Sequence, residues 1–316
     1  MFQVFSVTLS TMLMLFLCIA VGFVLGKFKL SPADTDTVLS KGEFYIFNPA
    51  TVLSSLLANC TMTSLAAKTA TLGYAALVTV LAIALGILVG TLIQPQKSYL
   101  QNVYKYSMMF PNYGFLGLAV VTLVMGEEAV FGYVMYMLPI NIGVYTYGTT
   151  LLIKGGSGKG AVLKRFANPM MFSMLLGIVL GITGIGQILP SFVTDAISSL
   201  AKCFSPLAMI LTGFTVSKFG LKRLFSEKKS YVITVFRLFI CPALFLTVLH
   251  FLGADETIMK YTLVAFAAPV GLNAVVFPAS CGENTLPGAS MAMISHIACI
   301  LTIPLMFALL TAMGWI

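Results

Sequence analysis

Two short segments of this chain carry residue types and spacings that could hold a small anion inside a membrane. They are Pro111-Asn112-Tyr113-Gly114 and Pro269-Val270-Gly271-Leu272-Asn273, each in the middle of a long apolar stretch. Proline removes one backbone hydrogen bond from a helix and clashes with its preceding turn, and a nearby glycine loosens the chain further. In hydrocarbon such a break is tolerated only where protein or a water-filled cavity satisfies the freed groups. The half-helix that follows a break presents free N–H groups and a partial positive charge at its N-terminus, which suits a carboxylate or another anion. The side-chain amides of Asn112 and Asn273 add donors at the same depth. One kinked helix would be read as structural. Two, in matching places of a duplicated chain, point to a binding site.

Other polar residues within the apolar stretches admit more than one role. Asn141, which follows Pro139, faces either this site or another helix. Arg237 is the only formal charge inside a span. It snorkels to the interface or pairs with a carbonyl at a broken helix; alternatively, it attracts and holds an anionic substrate. His296 either shuttles a proton or is an ordinary hydrogen-bonding residue. Asn48-Pro49 and Ser205-Pro206 form a second matched pair and read as kinks that line one wall of a cavity. No Asp or Glu falls in mid-span, with Glu43 and Glu283 near span ends. That argues against tight cation coupling, and it leaves no buried negative charge to repel an anion.

The elements that position these residues are repeated. GFVLG at Gly22–Gly26 returns as GIVLG at Gly177–Gly181, FNPATVLSSLL from Phe47 returns as FSPLAMILTGF from Phe204, and Pro111 has its counterpart in Pro269. The offset drifts by only a few residues, as expected of a duplicated unit with small insertions. Composition sets the medium: 59% of residues are hydrophobic and 9% charged, far from the balance of a soluble domain. Residues 1–26, 69–96, 106–126, 129–153, 166–194, 261–282 and 284–316 contain no charged residue. Each exceeds the roughly 20 residues that cross a ~30 Å hydrocarbon core. With the apolar parts of 44–57, 196–216 and 231–252, they make ten expected spans. The two segments of the opening paragraph lie in spans 4 and 9. The expected fold is an all-α polytopic membrane protein. Residues 1–153 form a first five-helix repeat, 154–165 a cytoplasmic linker, and 166–316 a second repeat. An odd span number per repeat makes the copies inverted.

Of the 18 Lys and Arg residues, all but Lys68, Lys202, Lys260 and Arg237 fall in loops on one side if the N-terminus is outside. The positive-inside rule therefore places both termini on the non-cytoplasmic side of a cell membrane. It also accounts for the net charge of +8 without a nucleic-acid partner. The cysteines form no CxxC motif and read as small buried apolar residues. Asn59-Cys60-Thr61 reads as a chance glycosylation sequon, and the GGSGKG run of the linker lacks the strand a phosphate loop needs. No cleavable signal peptide is expected, because no basic region precedes the first apolar stretch. The glycine pairs Gly22/Gly26, Gly86/Gly90 and Gly177/Gly181 read as close helix contacts. No nucleophile–base pair or metal-ligand cluster is present, so neither an enzyme nor a metal or cofactor is expected.

Together, FNPA in span 2, PNYGFLGL in span 4 and the proline of span 9 resemble the auxin efflux carrier family, of bile-acid-transporter-like fold. The most specific element is Asn112–Gly117, and the resemblance covers essentially the whole chain. It implies a scaffold of spans 1, 2, 6 and 7 and a transport unit of spans 3–5 and 8–10. It also implies elevator-type alternating access and a homodimer formed through the scaffold. Substrate binding where spans 4 and 9 cross maps to Pro111, Asn112, Tyr113, Gly114, Pro269, Gly271 and Asn273. The residue reading adds Asn141 and Arg237. The short linker departs from plant members with their long central loop. It suits a bacterial permease in the inner membrane for small carboxylates such as malate or malonate. The alternative is a sensor that binds an organic anion without moving it, and a channel is a third option.

Overall fold

A computed structural model describes residues 2–32, 34–153, 169–280 and 282–316. The expected linker, 154–165, lies outside the described residues. Among these residues the regular elements are all helices, and the one β-type contact is an isolated bridge between Pro111 and Val270. Six helices are long and apolar enough to cross a membrane: Phe5–Lys27, Thr69–Ile93, Glu127–Leu152, Ser191–Ser217, Lys228–Phe251 and Leu286–Ala312. The other expected spans are the successive helical segments Thr35–Gly42, Glu43–Phe47 and Asn48–Asn59, the short apolar helix Pro169–Ile182, and two interrupted pairs. One pair is Tyr99–Met109 followed by Tyr113–Met125, and the other is Glu256–Phe266 followed by Asn273–Ser280. Large aliphatic side chains point outward from these helices: Leu17 is 65% and Leu301 63% exposed. In water this would be an adhesive surface. In a bilayer it is the lipid-facing one.

Helix contacts repeat the sequence duplication. Phe2–Lys27 packs against Ser191–Ser217, and its counterpart Pro169–Ile182 packs against Asn48–Asn59, the counterpart of the Ser191–Ser217 proline region. Each contact runs over a repeated glycine pair. A Cβ on Gly22 would stand 1.9 Å from the Ile210 carbonyl oxygen, and one on Gly181 would stand 2.4 Å from that of Cys60. These four segments therefore form one cluster. Thr69–Ile93, Tyr99–Met109 and Glu127–Gly143 form another set of contacts, as do Cys241–Phe251 with Glu256–Phe266 and Lys228–Val235 with Leu286–Ala312.

Two spans widen into a π-helical turn just before a proline: Glu43–Phe47 precedes Pro49, and Phe236–Ile240 precedes Pro242. A proline ring displaces the carbonyl one turn back, and a π-helical turn takes up the misfit. Both turns carry a buried charged residue type. Arg237 and Glu43 are each 0% exposed. For Glu43 this corrects the sequence reading, which placed it at a span end with no buried acid in the chain.

Candidate functional site

The Tyr99–Met109 and Glu256–Phe266 helices both stop where the sequence expects a break, and the segments beyond them meet. Pro111 and Val270 pair antiparallel, and the Asn112 N–H donates to the Pro269 carbonyl at 2.7 Å. Antiparallel pairing is what an inverted duplication requires of equivalent segments. The symmetric partner of that bond would run from the Val270 N–H to Pro111. Instead the Val270 N–H donates to Ser295 Oγ at 3.0 Å, so the crossing is not an exact two-fold. Gly271 allows the approach: a Cβ there would lie 3.1 Å from the Pro111 carbonyl oxygen.

The polar side chains around the crossing are held in place by residues distant in sequence. Asn112, 2% exposed, places Nδ2 3.2 Å from His296 Nε2. His296 Nδ1 lies 2.7 Å from the Ala292 carbonyl oxygen, which can only accept, so Nδ1 carries the proton and Nε2 accepts from Asn112. This assigns His296 to orienting Asn112 in the arrangement seen here. The Tyr113 hydroxyl donates to Asn141 Oδ1 at 2.7 Å, and the Tyr133 hydroxyl donates to the Tyr113 carbonyl at 3.0 Å. Asn141 is therefore joined to the site rather than to a remote helix. Its Nδ2 is buried without a partner among the described residues, leaving donors free for an acceptor. Asn273 opens the helix Asn273–Ser280, is half-buried, and lies within hydrogen-bonding reach of the Tyr106 hydroxyl. Gly114 faces open space, with nothing within 4 Å of a Cβ built on it. The sequence reading did not single out Tyr106, Tyr133 or Ser295. Only their polar groups within apolar helices marked them, and that signal is shared by many buried hydroxyls.

Arg237 is not at the half-helix N-termini. Its Nη1 donates to the Met108 carbonyl at 2.6 Å, and its guanidinium sits over the Phe266 ring, 5.6 Å from the centroid. Met108 is in the last turn of Tyr99–Met109, and Phe266 is the last residue of Glu256–Phe266. Both first half-helices thus end, with their partial negative charge, beside the same cation. The carbonyl pairing weighed from sequence is the one observed. Arg237 thus stands at the carbonyl ends of both first half-helices, while Asn112, Asn141 and Asn273 are held by His296, Tyr113 and Tyr106. Replacing Arg237 with Met removes a charge-assisted hydrogen bond worth about 1.5–3 kcal/mol, but also the cost of burying a cation. The expected shift in stability is therefore small, within about 2 kcal/mol. Transport is expected to fall roughly tenfold or more, since a helix-end charge contributes up to ~2 kcal/mol. Melting curves and transport rates for Arg237→Met and Arg237→Lys check both, with Lys retaining part of the activity.

A cavity of about 600 Å³ lies between the Phe2–Lys27, Asn48–Asn59 and Ser191–Ser217 cluster and the segments around Thr122 and Glu127. Thr51, Ser205 and Pro206 line it, so of the second proline pair Ser205-Pro206 forms a cavity wall, while Asn48-Pro49 is not among its lining residues. Phe204 also lines it, and its ring stacks on that of Phe115, one residue beyond Gly114, with centroids 5.7 Å apart. Glu127 and Glu128 line it as well.

Membrane-length helices around an internal crossing of two broken ones define a polytopic membrane protein with a polar centre. Comparison with known proteins places it further: the chain matches the membrane transport protein family over residues 7–307 and belongs to it. This is the auxin efflux carrier family that its motifs resemble. It is also similar to an uncharacterized transporter of Methanocaldococcus jannaschii, 26% identical over 171 residues. That alignment covers 53% of this chain and 55% of the relative, about half its length. The chain is thus a multi-pass protein of a membrane transport family, a class not generally enzymatic.

Proposed function

We propose that this protein is a secondary transporter of small organic anions, carboxylates such as malate or malonate. The substrate binds where the two broken helices cross. One observation carries the reading: the segments that open the second half-helices pair antiparallel at Pro111 and Val270, with the amides of Asn112, Asn141 and Asn273 held around them, while Arg237 sits at the carbonyl ends of the first half-helices. Free N–H ends stabilise a carboxylate without a full positive charge, so a bound anion is held yet can leave.

Movement is by elevator-type alternating access. The glycine-packed cluster of expected spans 1, 2, 6 and 7 is the scaffold, and the crossing belongs to the remaining spans, which carry it past the scaffold. The cavity between the two groups is the outward approach, ending at Phe204 and Phe115. A homodimer through the scaffold, and a cell membrane with both termini outside, complete the reading; no nucleic acid takes part.

Counterflow tests it. Proteoliposomes loaded with unlabelled malate are expected to trap labelled malate above protein-free vesicles, and competing mono- and dicarboxylates should rank the substrates. Saturable binding with no flux would instead favour a sensor. Gly114→Ala adds a more local check. Its methyl group enters open space, so folding should be unchanged, whereas affinity should fall about tenfold if substrate occupies that space. An unchanged apparent affinity would move the site away from Gly114.

A further inference from the structure

Glu43 takes no part in the site just described, yet its burial makes it costly to leave as it stands. It is 0% exposed, and neither of its carboxyl oxygens meets a hydrogen-bond partner among the described residues. It begins the π-helical turn Glu43–Phe47, roughly 12 Å along the helix from Thr35 at ~1.5 Å per residue. The turn packs against Pro169–Ile182 and Ser191–Ser217. Pro169–Ile182 contains no titratable residue. Ser191–Ser217 carries Asp195, Lys202 and Cys203 in its outer half, and Lys218 beyond its inner end is engaged by Asp36, with Nζ 2.7 Å from Oδ2. On Glu43's own helix the ionisable neighbours are Asp36, Lys41 and the outward-facing Tyr45. No described cation pairs with Glu43: Lys41 is exposed, and Glu43 is buried with both carboxyl oxygens unmet.

Burying an isolated carboxylate in such surroundings costs far more than burying the neutral acid. A metal cation does not resolve this, because a hard cation demands several oxygen ligands and Glu43 offers two alone. A proton does. π-helical turns are moreover frequent at functional sites, where they allow a helix to change register.

We propose that Glu43 is a membrane-embedded proton-binding site, loaded in the arrangement seen here and emptied toward the Lys41 side. Release breaks the carboxyl O–H bond, with the electron pair staying on Glu43 and the proton passing to water at the inner boundary. The resulting carboxylate is then hydrated near Lys41 and Lys218. Only the coupling of this proton to substrate movement rests on the transporter reading above; the site itself does not.

Two measurements test it. Infrared spectra of the protein in lipid vesicles at neutral pH are expected to show a protonated-carboxyl C=O band that is lost in Glu43→Gln and shifted in Glu43→Asp. The aspartate variant keeps the test decisive if the glutamine variant does not assemble. Coincident spectra of the wild type and both variants would overturn the site. In proteoliposomes an imposed proton gradient is expected to raise malate accumulation severalfold, with Glu43→Gln losing that gain while keeping exchange counterflow. Gradient-driven accumulation unchanged in Glu43→Gln would overturn the coupling and leave the site to the spectra. Absence of any carboxylate flux would count against the transporter reading alone, because the infrared band needs no substrate.

Discussion

Carboxylate counterflow through Asn273→Ala and Asn112→Ala is expected to fall by roughly 10- to 100-fold, the loss of a hydrogen bond to a charged group worth about 1.5–3 kcal/mol. The two variants differ in what else they disturb. Asn112 is 2% exposed and occupied by His296, so its truncation also strips the imidazole Nε2 of its donor. Part of the loss in that variant is structural, and a lowered melting temperature should accompany it. Asn273 is half-buried at the start of a half-helix, and its truncation leaves the buried Tyr106 hydroxyl without that partner. Asn273→Ala should therefore melt somewhat below the wild type while its apparent affinity falls far more. The comparison is one of proportion: a loss of affinity well beyond the loss of stability identifies a ligand contact. Unchanged kinetics in both variants would remove the crossing from the proposed site.

Much of this arrangement is legible in the sequence because hydrocarbon permits few alternatives. A charge-free stretch of spanning length must be helical, and a proline–glycine break within it must be sheltered by protein or a water-filled cavity. Pro111 and Pro269 could thus be paired from their register in the repeat, and the structure joins them through the Asn112–Pro269 hydrogen bond. The same logic anticipated a carbonyl partner for Arg237, since a helix that stops in the membrane leaves carbonyls without donors. Contacts set by helix rotation were not legible. Nothing near Asn112 in the chain announces His296, a partner 184 residues away. Glu43 shows the opposite error. Two residues from Lys41, it looks like a boundary residue, but a boundary in sequence says nothing about which face of the helix meets the neighbouring helices. Here that face is turned inward.

The second large effect concerns the scaffold. Gly213→Ala and Gly22→Ala are expected to prevent the close crossing of Phe2–Lys27 and Ser191–Ser217. A Cβ on Gly213 would lie 1.8 Å from the Ile19 carbonyl oxygen, and one on Gly22 1.9 Å from that of Ile210. These are backbone atoms, so no side chain can rotate aside and the helices must move apart along their whole contact. Overpacking typically costs 1–3 kcal/mol and occasionally more, and a backbone–backbone clash belongs at or above the upper end, about 3 kcal/mol. The clash distances rank the glycines further. Gly181 meets the Cys60 carbonyl oxygen at 2.4 Å, whereas Gly177 meets Leu56 Cβ at 2.7 Å, a slightly longer approach to an atom that is also fixed to the backbone. Gly73 has nothing within 4 Å, so Gly73→Ala should be neutral or gain up to about 1 kcal/mol of helix propensity. Thermal melts in detergent should therefore fall in the order Gly73→Ala, Gly177→Ala, Gly181→Ala, with Gly22→Ala and Gly213→Ala lowest or failing to yield monodisperse protein. If Gly213→Ala melted with Gly73→Ala, the intimate crossing would be wrong. The scaffold would then lose the rigidity on which movement of the other spans against it depends.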